Sequence, residues 1–105
     1  MIETLKTAIA NKQTIAFMYD DRRRVVEVHA VGKSTKPPHD IVIRGYQVAG
    51  ESSRPLPGWA LFTASKIDAL ELSALPLSQA PREGYRENDK QMIEIIAQIM
   101  LEPVA

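Results

Sequence analysis

The chain has 105 residues, of which 45% are apolar and 25% charged, and its net charge is zero. That length suits one domain with a modest core and leaves no room for a deep enclosed active site, and the composition is that of a folded protein rather than a disordered one. Cysteine is absent, which removes disulfides, thiolate metal sites and thiol nucleophiles and suits a reducing, cytoplasmic location.

Residues 2–11 are predicted to form a short helix, because Ile2, Leu5 and Ile9 fall on one stripe at helical spacing. Residues 14–19 read as a strand with Ile15, Phe17 and Tyr19 on one side, and the polar run 20–23 reads as a turn. Residues 24–31 then alternate, Val26, Val28 and Ala30 against Val25, Glu27 and His29, so the two segments form a β-hairpin. Residues 32–40 contain two prolines and no periodicity, and read as an exposed loop. β-Branched and aromatic residues make 41–49 the strongest predicted strand.

A second proline-bearing loop is expected at 50–58, followed by short strands at 59–62 and 67–72. Pro76, Pro81 and Gly84 make 75–85 irregular. Asn88 then has the character of an N-cap, with Gln91 at the matching capping-box position and Asp89 in the first turn. Met92, Ile95, Ile96 and Ile99 complete the stripe of a C-terminal helix that Pro103 would end.

One domain over 1–105 is therefore expected: mainly β, with five short strands between an N-terminal and a C-terminal helix. Closing the strands into a small SH3- or Sm-like barrel would remove the exposed edges of such a meander. An open α+β sheet with helices on one face is the alternative. No signal peptide is visible, and no apolar run approaches the roughly 20 residues that span a bilayer, so no membrane association is expected.

Charge is uneven along the chain. Residues 1–54 carry nine Lys/Arg against six Asp/Glu, whereas 55–105 carry four against seven. A basic half can present an anion-facing surface, although a solvated face with paired charges has the same signature.

Catalytic signals are sparse. His29 and His39 have no partner at metal-ligand spacing, Ser52 and Ser53 lack a nucleophile context, and no phosphate loop is present. Asp20 and Asp21 are adjacent carboxylates at a hairpin tip, where water keeps them ordinary acids. No enzyme, metal or cofactor is expected. What remains is a set of cationic donors, an amide and flat rings: Arg24, Arg44, Tyr46, Gln47, Trp59, Lys66, Arg82 and Tyr85. Arginine grips phosphate through paired N–H groups, aromatic rings stack on bases, and an amide reads a base edge. Arg44 lies in mid-strand, so it belongs on an outer face, in a barrel mouth, or in an ion pair with Glu51 or Asp68. By alternation Arg44 and Tyr46 face away from Gly45 and Gln47.

Several segments together resemble the WYL domain family. These are Ala8-Ile9-Ala10-Asn11-Lys12-Gln13-Thr14-Ile15, Phe17-Met18-Tyr19, Arg24-Val25-Val26-Glu27-Val28, Ile41-Val42-Ile43-Arg44-Gly45-Tyr46 and Phe62-Thr63-Ala64-Ser65-Lys66-Ile67. Ile41-Val42-Ile43 stands where the family carries its naming triplet, and Thr63 and Lys66 stand where it carries two arginines, so the chain resembles a divergent branch. The resemblance implies a small Sm/SH3-like barrel of the kind found in bacterial transcription regulators and defence-linked proteins, sensing nucleic acid or nucleotides by binding. It carries over onto Arg44 and Lys66, and more loosely onto Arg24. The partners it implies are single-stranded nucleic acid or a nucleotide. The alternative is a protein-interaction or assembly module that pairs through a barrel edge, with a protein partner or a second copy.

Overall fold

The N-terminal residues Ile2–Ala10 form helix α1, with Leu5 and Ala8 buried and Asn11 closing it by donating its N–H to the Thr7 carbonyl. The structure is a computed structural model and describes residues 1–102; Pro103, expected to end a C-terminal helix, lies outside the described residues. Strand β1 (Gln13–Tyr19) turns directly into β2 (Arg22–Ser34) through Asp20 and Asp21, whose φ angles are +51° and +59°. Two successive left-handed residues make the turn whose twist matches a hairpin, and aspartate tolerates that conformation better than most residues. The register runs from Thr14 opposite Glu27 to Tyr19 opposite Arg22, which is the expected hairpin.

Strand β2 continues through Gly32, Lys33 and Ser34, residues expected in a loop. Its far half has partners on both sides: β3 (Ile41–Gly50) along one edge, and along the other β6 (Met92–Gln98) from the point where β1 has ended. Gly32 fits this sandwiched position because a Cβ there would fall on the Glu94 carbonyl oxygen and within 2.8 Å of the Met92 sulfur. Strand β4 (Gly58–Thr63) pairs with β3, a single 3-10 turn (Ala64–Lys66) follows, and β5 (Asp68–Leu77) returns to pair with β1. β5 thus extends beyond the expected 67–72 into 75–77; Pro76 is accommodated because β5 is an edge strand.

Two expectations are corrected. The C-terminal helix is absent, and Met92–Gln98 is a sixth strand antiparallel to β2. Register shifts in that pairing break strict alternation, so Met92 and Ile95 join the small cluster of Ala30, Val42 and Leu61 while Ile96 reaches the main core. Apolar residues on both faces of an irregular strand mimic helical spacing, and the open edge of β2 together with three isoleucines decides for the ladder. Nor does Asn88 cap a helix: it sits at φ +57°, and the Asp89 carboxylate accepts the Gln91 N–H in a turn that launches β6. The same side-chain chemistry serves both structures.

The barrel also does not close. The sheet is an open antiparallel one in the order β4-β3-β2-β1-β5, with β6 beside β2. Side chains seal the space between β4 and β1: Phe62 lies edge-on to Phe17 and Tyr19 at 5.0 and 5.1 Å, and the Tyr19 hydroxyl accepts the Thr63 N–H. The main core of Leu5, Ala8, Ile15, Phe17, Val26, Val28, Val31, Ile43, Phe62 and Ile67 lies between α1 and this inner face. No helix of the described residues is long and apolar enough to cross a membrane.

Candidate functional site

Alternation along β3 separates the expected binding residues. Ile43, Gly45 and Gln47 face inward, whereas Val42, Arg44 and Tyr46 face outward. Gly45 permits close packing with β2, since a Cβ there would overlap the Val26 side chain. On β2 a bulge at His29 resets the alternation, so Glu27, His29 and Ala30 all serve the outer face. Arg24 and Arg44 therefore stand on opposite faces and do not form one basic patch.

On the inner face, Arg24 is 9% exposed and Gln47 2%. The Gln47 amide donates to the carbonyls of Ala49 and Glu51, at 3.1 and 2.9 Å, and its Oε1 accepts from Arg24 Nη1 at 3.3 Å. Gln47 thus ties the start of the 50–58 loop to Arg24. Arg24 Nη2 donates to the Tyr19 carbonyl at 3.2 Å, and its guanidinium lies 5.6 and 5.9 Å from the Tyr19 and Phe62 ring centres. Its Nε–H is buried with no partner among the described residues. These groups form the floor of a cavity of about 160 Å³, whose rim includes Asp20, Ser52, Ser53, Arg54 and Trp59.

On the outer face, Glu27 is 1% exposed and bound on both oxygens by Arg82. Arg82 Nε and Nη2 lie 2.6 and 3.0 Å from Glu27 Oε1 and Oε2, and Oε2 also accepts the Gln79 N–H at 2.7 Å. His29 Nε2 accepts the Arg82 backbone N–H at 3.0 Å while Nδ1 lies 3.0 Å from the Glu27 carbonyl. That arrangement requires the neutral ring with its proton on Nδ1. Burial pushes the His29 pKa below its ordinary value, against the opposing influence of the Glu27 carbonyl and carboxylate. Residues 79–85 are thereby pinned across the sheet.

Tyr46 lies between Trp59, edge-on at 5.2 Å, and the Arg82 guanidinium, 4.9 Å from its ring centre. His29 packs against Trp59 and Tyr85 at 4.6 and 5.2 Å. The Tyr85 hydroxyl donates to the Ile99 carbonyl, and burial, with Glu87 and Asp89 nearby, raises its pKa to about 12. Arg44 is engaged by neither Glu51 nor Asp68: its Nε lies 2.7 Å from Asp89 Oδ2, and both side chains are largely buried. Burial works against the Asp89 carboxylate, but hydrogen bonds from Arg44 and the Gln91 N–H and the Arg44 charge outweigh it and hold the pKa low. A second, wider cavity of about 580 Å³ is bordered by Arg44, Trp59, Tyr85 and the 86–91 turn.

Of the eight expected residues, Arg24, Gln47 and Trp59 meet at the first cavity, and Arg44, Trp59 and Tyr85 at the second. Tyr46 and Arg82 belong to the outer-face layer, and Lys66 borders neither cavity. Sequence reasoning missed Glu27 as an anchor, Asp89 as the partner of Arg44, and the rim residue Arg54. An acid in a valine-rich strand was the one available signal for Glu27; its arginine lies 55 positions away. Among the described residues no three His, Cys, Asp or Glu side chains gather to hold a metal ion.

The described residues form a mainly β open sheet with an N-terminal helix and an arginine-floored cavity on the inner face. No protein-family model matches the chain, and no curated protein or solved structure shows significant similarity to it.

Proposed function

We propose that this protein is a regulatory binding module, acting in the cytoplasm without catalysis, that senses a nucleotide or single-stranded nucleic acid at the Arg24 cavity. The observation that carries this reading is the Arg24 guanidinium, buried on the floor of a cavity and fixed there by Gln47 and the Tyr19 carbonyl. A guanidinium held rigidly beside aromatic rings binds an anion at small entropic cost. The WYL-like pattern of the sequence supports the same class of ligand.

Trp59, the sole tryptophan, borders the cavity and reports on it by fluorescence. Titration with short single-stranded oligonucleotides and with nucleotides is expected to change its emission, with affinity falling as salt rises. Arg54→Ala should weaken that binding severalfold, and Arg44→Ala should not, because Arg44 belongs to the other face. Absence of binding by both ligand types sinks the reading.

Open edges support a second reading, that of an assembly module. Neither β4 nor β5 has a strand on its outer side among the described residues, and β5 exposes Leu72, Leu75 and Leu77. Such an edge pairs with another chain, a protein partner or a second copy. Light scattering that reports a monomer at high concentration, together with no partner in pull-downs, argues against it.

A further inference from the structure

We infer that the Arg24 cavity takes a terminal phosphate, a phosphomonoester, rather than the internal phosphodiester of a strand passing through. This rests on the binding reading above and narrows it to one chemical group.

The argument begins with size. A cavity of about 160 Å³ is small beside ligand pockets, which run from about 300 to 1,000 Å³. A phosphoryl group fits that space, but a whole mononucleotide does not. The depth profile closes one end: Arg24, Gln47 and Phe62 are buried, whereas Asp20, Ser53 and Arg54 are exposed. A closed floor admits a group with one substituent and excludes one whose chain continues on both sides. Sugar and base remain at the rim, where Trp59 stands.

Donor accounting gives the same answer. A guanidinium has five N–H groups, and Arg24 spends one on Gln47 and one on the Tyr19 carbonyl. The second N–H on each of Nη1 and Nη2 remains, and such a pair suits an anion with several oxygens. A phosphomonoester offers three and close to two charges, whereas a diester has one charge and two free oxygens. Gln47 has no amide N–H left for a ligand, so it acts as a positioning residue that holds Arg24. Arg54 adds a second cation at the rim, and the exposed Asp20 opposes it. The opposing carboxylate is itself informative, because removing its charge should strengthen phosphate binding.

The test uses the full chain and Trp59 emission. Adenosine 5′-monophosphate is compared with adenosine, and a 5′-phosphorylated oligothymidylate with its 5′-hydroxyl counterpart. Loss of the terminal phosphate should weaken each pair by about tenfold or more, and inorganic phosphate alone should compete. Arg54→Ala should weaken the phosphorylated ligands, and Asp20→Asn should tighten them, neither changing the melting temperature. Binding of the monophosphate but not the oligonucleotide supports the inference and identifies a free nucleotide as the source; the reverse supports it for a strand end. Equal binding of phosphorylated and hydroxyl oligonucleotides overturns the terminal-phosphate inference while leaving nucleic-acid binding standing. No binding of any of these ligands overturns both.

Discussion

Glu27 is a carboxylate in the middle of a valine-rich strand, and its environment shows how a buried charge is tolerated. Three N–H groups from residues 79–82 converge on its oxygens, and Arg82 supplies the counter-charge. Removing one partner of such a pair is far more damaging than removing both, because the remaining charge stays buried. Arg82→Ala should therefore cost about 3 kcal/mol in urea unfolding, and adding Glu27→Gln should recover a large part of it. Additive losses in the double variant would show that the two side chains are not coupled.

His29 contributes a pH dependence. Its pKa in the folded chain lies below the ordinary 6.5, chiefly because it is buried. Above pH 6.5 the ring is neutral in both folded and unfolded chains, and its contribution is fully present. As pH falls below 6.5 the unfolded chain takes up a proton that the folded chain resists. Stability then declines, by up to about 1.4 kcal/mol per pH unit, until the folded value is passed. Protonation would also place a donor on Nε2 against the Arg82 N–H. Urea midpoints measured from neutral to mildly acidic pH should show this slope in the native chain and lose it in His29→Gln. Asp89 acts in a lower range: its depressed pKa adds stability above its ordinary value of 3.8, lost as pH falls through the folded value.

Among the elements, β2 organises the sheet. It pairs with β3 along one edge and shares the other between β1 and β6, with the bulge at His29 marking the handover. Gly32 lies in β2 between β3 and β6, opposite Val42 and Ile95. Gly32→Ala should destabilise the chain by about 1–3 kcal/mol through overpacking against Glu94 and Met92. Amide exchange should quicken most in β6 and in the end of β2, with the β1–β2 hairpin least affected. Uniform loss of protection would show that β6 is not separable from the rest. The hairpin was legible from residues 14–31 because local alternation and the polar run 20–23 both signal it, although the turn itself takes only Asp20 and Asp21. β6 was not, because its ladder depends on an edge of β2 sixty residues earlier, and no local signal reports that the edge is free.

For the whole molecule, the two faces are linked through Trp59. Its ring contacts Tyr46 and His29 on the outer face, and the residue also borders the arginine cavity. Unfolding followed by Trp59 emission and by far-ultraviolet circular dichroism should therefore coincide, as expected for a cooperative unit of this size. Separated transitions would show that residues 79–99 detach from the sheet before it melts.

The sequence by itself determined a mainly β chain with an N-terminal helix, its first hairpin, and the strand β3 with Arg44 and Tyr46 on the face opposite Gly45 and Gln47. Those features follow from periodicities of a few residues. It also singled out Arg24, Gln47, Arg44, Trp59 and Tyr85, which border the cavities, but not Arg54. Only the tertiary structure decided that the sheet stays open, that the C-terminal stripe is a strand, and that Arg44 is bound to Asp89 while Arg24 keeps an unpartnered donor. The reason is range: strand closure, edge pairing and the neutralisation of a buried charge depend on residues brought together from distant parts of the chain, and local pattern does not encode who the partner is.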